Sequence, residues 1–278
     1  MVEAEHLRWR RTLRPFLAHA KQDLEPFINQ ALSRTFEPSG QMPLIVYGLA
    51  RKCLKSFSST IILGWRGYGE DAMLVARSMI EATVTAAFLE ENPERAADYT
   101  DFFWIHEYRL WHELRDLDPE YAAELFPPAR AEEAERRFKE VSPRFGIKAK
   151  PPYRGTWHRS SLPKLIQSLR REEYFELRHL YALAYRLGSD VTHASIIDLM
   201  KRVHVAPEGH LEMDAGPSGR LVAQALSSAH ATLLITLAAS NNALNLGIQE
   251  GLRRRQEDWT KIWPWGTDGS SSREPGPA

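Results

Sequence analysis

Apolar side chains recur along this chain at three- and four-residue spacing, the period of an α-helix, and no convincing alternating stretch longer than a few residues marks a strand. The first helical region runs from about Ala4 to Thr35, where Pro15 and Pro26 predict a kink or a break. Glu37 to Gly40 reads as a loop, and Pro43 opens a helix that continues to about Trp65. Gly64, Gly67 and Gly69 punctuate the turn before a third helix over about Glu70 to Glu91.

Farther on, Asn92-Pro93 and Asp118-Pro119 each combine a capping residue with a proline at the first helical position. The helix between them carries Phe102, Phe103, Ile105, Tyr108 and Trp111, a row suited to core and rim. Ala129 to Val141 is charged on most faces and reads as a solvated helix. Helical pattern resumes from Leu162 to about Val191, with a break near Arg171. Ala206 to Gly219 is a turn-rich insert with the composition of a small hairpin, and one last helix spans about Arg220 to Lys261. The expected fold is all-α: a single helical domain over 1–265, with the N-terminal region 1–36 packed on a bundle of six to seven long helices at 42–265. Residues 266–278 read as a disordered tail.

Charge and cysteine content narrow the function classes. Lysine plus arginine equals aspartate plus glutamate at 36 each, so neither a DNA-coating role nor a membrane-surface role is expected. Cys53 is the only cysteine, which rules out an internal disulfide framework and a cysteine metal cluster. Ala231 to Ala239, the longest apolar run, is about half the ~20 residues a membrane span needs. The N-terminus lacks the apolar segment of a signal peptide, so the expected location is the cytoplasm.

Two constellations carry chemistry. Met73, Arg77, Ile80, Val84 and Phe88 follow one helix face, which sets Arg77 within an apolar stripe and Glu81 one turn away. A guanidinium there needs a partner, and Glu81 can supply it, as a structural ion pair or as the polar shell of an active site. Downstream, Arg186, Asp190 and His193 stand at i, i+4 and i+7 if the helix continues through Gly188, with Ser189 beside them. Arginine can hold a phosphate while histidine moves a proton, or Asp190 and His193 can simply cap a helix end.

The Arg77-x-x-x-Glu81 and Ser189-x-x-x-His193-x-Ser195 motifs, with Pro93-Glu94-x-Ala96-x-x-x-Tyr99 between them, resemble a bacterial all-helical family of unknown function. Six residues separate Arg186 from His193, a spacing similar to the arginine–histidine signature of the HEPN superfamily, although Leu187 stands where its ribonucleases usually carry a polar residue. That resemblance implies metal-independent RNA cleavage by a homodimer acting as a toxin or antiphage defence component, without a cofactor. His193 would then be the general acid or base and Arg186 the phosphate holder. Lys148, Lys150 and Arg154, with Arg253 to Arg255, could add phosphate contacts.

Two other classes stay open. A non-catalytic module would use these pairs to fix the fold and an aromatic face, including Trp259, Trp263 and Trp265, to oligomerise. A di-iron bundle would need Glu176-x-x-His179 and Asp190-x-x-His193 with lone carboxylates from Glu81 and Glu70 or Glu107. The two pairs are too close in sequence to sit on separate antiparallel helices, so no metal ligands are assigned.

Overall fold

A computed structural model describes residues 13–33, 40–147, 156–192, 196–200, 202–206, 208–213, 216–217 and 219–262. The chain is all-α apart from one short hairpin among the described residues. Helix α1 covers 13–32, α2 Gln41–Arg66, α3 Gly69–Glu91, α4 Ala96–Leu117, α5 Pro119–Leu125, α6 Pro128–Phe145 and α7 Leu162–Ser168. Helix α8 runs over 177–192 and α9 over Ile196–Met200. Strands β1 (Val203–Val205) and β2 (Leu211–Met213) follow, then α10 (Val222–Leu244) and α11 (Gln249–Ile262).

Several boundaries differ from the periodicity for identifiable reasons. Pro26 does not break α1, because the π-helical stretch Ala20–Leu24 widens the turn preceding it. The last helical region is two helices. Asn245 and Gly247 both take left-handed backbone, at φ 50° and 66°, and end α10 before α11 begins. Helix α6 is not solvated all round, since Ala134, Phe138, Val141 and Phe145 form a buried row beneath its charged face. A hairpin is present but begins before the expected insert: its first strand, Val203–Val205, precedes Ala206 and only the second lies within 206–219, with Val203 opposite Met213 and Val205 opposite Leu211. The expected tail at 266–278, and Trp263 and Trp265 before it, lie outside the described residues.

Residues 1–91 and 165–278 form one compact unit and residues 92–164 a second. In the first, α2, α3 and α10 pack against one another. Small side chains permit the close approach: Ala72, Ala76, Ala86 and Ala87 on α3, and Ala225, Ala229 and Ala239 on α10, are fully buried. The hydroxyls of Thr83 and Thr236 meet at 2.6 Å between α3 and α10. Cys53 is buried beside them, and burial pushes its thiol up, away from reactive thiolate. Helices α3 and α10 are long and apolar enough to cross a membrane, but 61% and 78% of their most apolar windows are buried inside the protein.

In the second unit, α4 packs on α5 and α6 around Phe102, Ile105, Tyr108, Phe138, Val141, Phe145 and Ile147. Tyr108 stacks on Phe138 with ring centroids 3.8 Å apart. Asp118 caps α5 by accepting from the Tyr121 amide, as its place before Pro119 predicts. The aromatic row of α4 is therefore core and rim, except Phe103, which is exposed.

His230 of α10 is wholly buried in the first unit, stacked on Trp259 of α11 at 3.8 Å. Phe16, Phe57 and His19 complete its surroundings. Neither ring nitrogen has a hydrogen-bond partner among the described residues. Desolvation, with a smaller contribution from His19, lowers its pKa from 6.5 to about 3. A depressed folded-state pKa means that the unfolded chain binds the proton more readily. Stability from this group is therefore full above pH 6.5 and falls as pH drops toward 3, by up to about 1.4 kcal/mol per pH unit. Comparing melting temperature at pH 7 and pH 5 for wild type and His230→Phe should show a smaller acid loss in the variant. Parallel curves would contradict this assignment.

Candidate functional site

Arg77 stands in the apolar stripe of α3 with its side chain only 19% exposed, while Glu81 is 49% exposed. Their ion pair is present at 3.6 Å, yet the shorter contacts of Arg77 go to α8. Nη1 donates to the Thr192 hydroxyl at 2.8 Å, and Nη2 donates to the Tyr185 hydroxyl at 3.3 Å. Tyr185 in turn donates to Glu81 Oε1 at 3.0 Å, and its ring lies 4.8 Å beneath the guanidinium. Burial raises the Tyr185 pKa. Arg77 opposes that shift and Glu81 adds to it, so the phenol stays protonated as the donor this relay needs. Thr192 completes the circuit by donating to the Gly188 carbonyl at 2.7 Å.

Local sequence makes the contact reachable. Helix α8 holds a π-helical stretch, Tyr181–Tyr185, immediately before Arg186–Thr192, and such stretches redirect side chains within a helix. Gly188 faces α3 without a side chain. A Cβ there would sit 2.9 Å from Arg77 Cβ and 3.1 Å from the Met73 carbonyl. The two constellations legible in the sequence thus lie against each other, joined by Tyr185, Gly188 and Thr192. Sequence reasoning missed Tyr185 and Thr192 as functional partners. A glycine inside a helical stretch, Gly188, was the available signal for a close crossing.

Arg186 is exposed, and among the described residues it makes no hydrogen bond or ion pair. Asp190, one turn on, and Ser189 are half-buried. His193 lies outside the described residues, as do Lys148, Lys150 and Arg154. Arg77 is committed to internal partners, whereas Arg186 is presented outward.

Residues 44–210, more than half of the chain, match the Family of unknown function (DUF5677). The chain belongs to this family. The DUF5677 span contains the whole Arg77–Glu81–Tyr185–Thr192 network together with Arg186, Ser189 and Asp190. No curated protein and no solved structure matches the chain.

Other sequence candidates are used differently. The basic run on α11 is largely neutralised: Arg253 pairs with Glu250 and Glu257, Arg254 approaches Asp258, and Arg255 pairs with Asp23 over the Phe27 ring. Acidic residues three and four positions away, and Asp23 from α1, account for this. The carboxylates that a di-iron site would recruit are occupied, Glu70 by Arg220 and Glu107 by Arg130, each at 2.8 Å. Among the described residues no three metal-ligating side chains converge. A second clamp in the first unit holds the turn before α8. Glu90 binds Arg171 and Tyr174, while Glu91 accepts the backbone amides of Arg170 and Arg171.

If Gly188 admits the crossing, Gly188→Ala should lower unfolding stability by about 1–3 kcal/mol, the usual cost of overpacking a tight contact. Urea denaturation reads this directly. An unchanged midpoint would show that α8 does not approach α3 so closely.

Proposed function

We propose that this DUF5677 chain is a metal-independent ribonuclease of the HEPN-like kind, acting on RNA as a homodimer in a toxin or defence setting. The observation that supports the reading is Arg186. An exposed guanidinium stands on a helix whose neighbouring face is tied to α3 by Arg77, Tyr185 and Thr192. Positional rigidity of that kind is what a phosphate-holding arginine requires.

RNA carries its own nucleophile, which removes the need for a metal-generated hydroxide. In the proposed step, His193 takes the proton of the 2′-hydroxyl and O2′ attacks the adjacent phosphorus. The bond to the 5′-oxygen breaks, and that oxygen takes up a proton as it leaves, giving a 2′,3′-cyclic phosphate and a 5′-hydroxyl. Arg186 stabilises the charge developing on the phosphoryl oxygens. Asp190 lies one turn from Arg186 and would orient either partner, with Ser189 beside it.

A specific observation favours a second reading, a non-catalytic oligomerisation module. Val205, Leu211 and Met213 share one face of the hairpin and are 67%, 72% and 57% exposed. An uncovered apolar face of this sort marks an interaction surface.

Purified protein incubated with total RNA and tRNA in EDTA separates the two. The ribonuclease reading predicts cleavage to cyclic-phosphate ends by wild type, reduced at least 100-fold in His193→Ala at equal folded concentration. Absence of cleavage by wild type, with a stable dimer in solution, would contradict it and support the module.

A further inference from the structure

Between α8 and the first turns of α10 lies a groove of about 330 Å³, lined by Leu183, Ala184, Leu187, Ala223, Gln224, Ser227 and Ser228. Its two walls differ in chemistry. Leu183 and Leu187, one helical turn apart on α8, supply an apolar wall, and Leu183 is 68% exposed with no cover among the described residues. From α10, the Gln224 amide and the hydroxyls of Ser227 and Ser228 supply donors and acceptors, with Gln224 exposed and Ser228 buried. The small residues Ala184, Ala223 and Ser227 are what leave the space open. Two residues before Ala223, Leu221 adopts left-handed backbone at φ 60°, a strained state for a leucine. Arg186 lies between the groove residues Leu183 and Leu187 in the sequence of α8 and is exposed.

An acyl chain would call for an enclosed, uniformly apolar channel, and a free anion for a cation inside the groove. Neither matches. A flat ring with a polar edge does: one surface lies on leucine, the edge meets an amide and two hydroxyls, and a linked phosphate meets the neighbouring guanidinium. We propose that this groove is a subsite for one unstacked nucleobase of single-stranded RNA, placed so that the phosphate attached to it meets Arg186. Leu183 and Leu187 stack the base, and Gln224 with Ser227 and Ser228 reads its edge. The inference rests on the ribonuclease reading and adds to it a substrate form, single-stranded RNA, and a source of base preference.

The test uses the full chain carrying His193→Ala, to prevent turnover, with end-labelled hexanucleotides of rA, rC, rG and rU in an anisotropy titration. The expected result is a preference among the four of about tenfold or more. Gln224→Leu, at an exposed position that leaves the melting temperature unchanged, should level that preference. Ala223→Trp, which fills the groove, should weaken all four by about tenfold, the size of a lost base-stacking contact. Arg186→Ala should weaken all four equally and leave their order intact. Unchanged affinity and order in both Gln224→Leu and Ala223→Trp would overturn the subsite, even if wild type cleaves RNA. No binding of any hexanucleotide also overturns it, and absence of cleavage in EDTA alongside would bring down the ribonuclease reading with it.

Discussion

The guanidinium of Arg77 is the interaction on which the site depends. It is nearly enclosed in the apolar stripe of α3, and an unpaired charge there would cost several kcal/mol. Its partners are a phenol and a hydroxyl from α8, more than a hundred residues later in the chain, together with a more distant carboxylate on its own helix. Neutral hydrogen-bond acceptors engage the two terminal nitrogens and a ring face lies beneath the group, while Glu81 stays half exposed and the buried Nε has no partner among the described residues. The consequence is mechanical. Helix α8 is held at one rotation about its axis, so its remaining faces have defined directions.

Those directions sort the residues of α8 by role. Tyr185, Gly188 and Thr192 meet α3. Leu183 and Leu187 line the groove beside α10, and Arg186 is exposed to solvent. Behind this arrangement, α2, α3 and α10 provide a closely packed support whose alanines and paired threonines bring the helices together. The proposed RNA chemistry uses that division: one face anchors, one receives a base, one engages a phosphate.

Much of the fold was legible because its information is local. Proline at first helical turns, aspartate before Pro119 and apolar rows at three- and four-residue spacing place most helices within a few residues of their observed ends. Long-range information was not legible. Nothing near Arg77 names Thr192 or Tyr185, and the π-helical stretches that admit Pro26 and precede Arg186 have no pattern of their own. Charge counting also misread α11 and α6. The arginines of α11 are paired by neighbours at helical spacing, and the charges of α6 hide a buried row. Spacing singled out the Arg77–Glu81 pair and the group of Arg186, Ser189 and Asp190, whereas the residues joining the two groups required the tertiary fold.

The central claim, that Arg77 fixes α8 against α3, is tested most directly by a double-mutant cycle between Arg77→Ala and Thr192→Val, read by urea denaturation. Removing Arg77 alone should cost about 2 kcal/mol, through two lost hydrogen bonds and the packing of its stem. A coupling energy of about 1 kcal/mol between the two substitutions is predicted for side chains in direct contact. Strict additivity, with coupling below about 0.3 kcal/mol, would mean that the guanidinium does not hold the helix and would contradict the account.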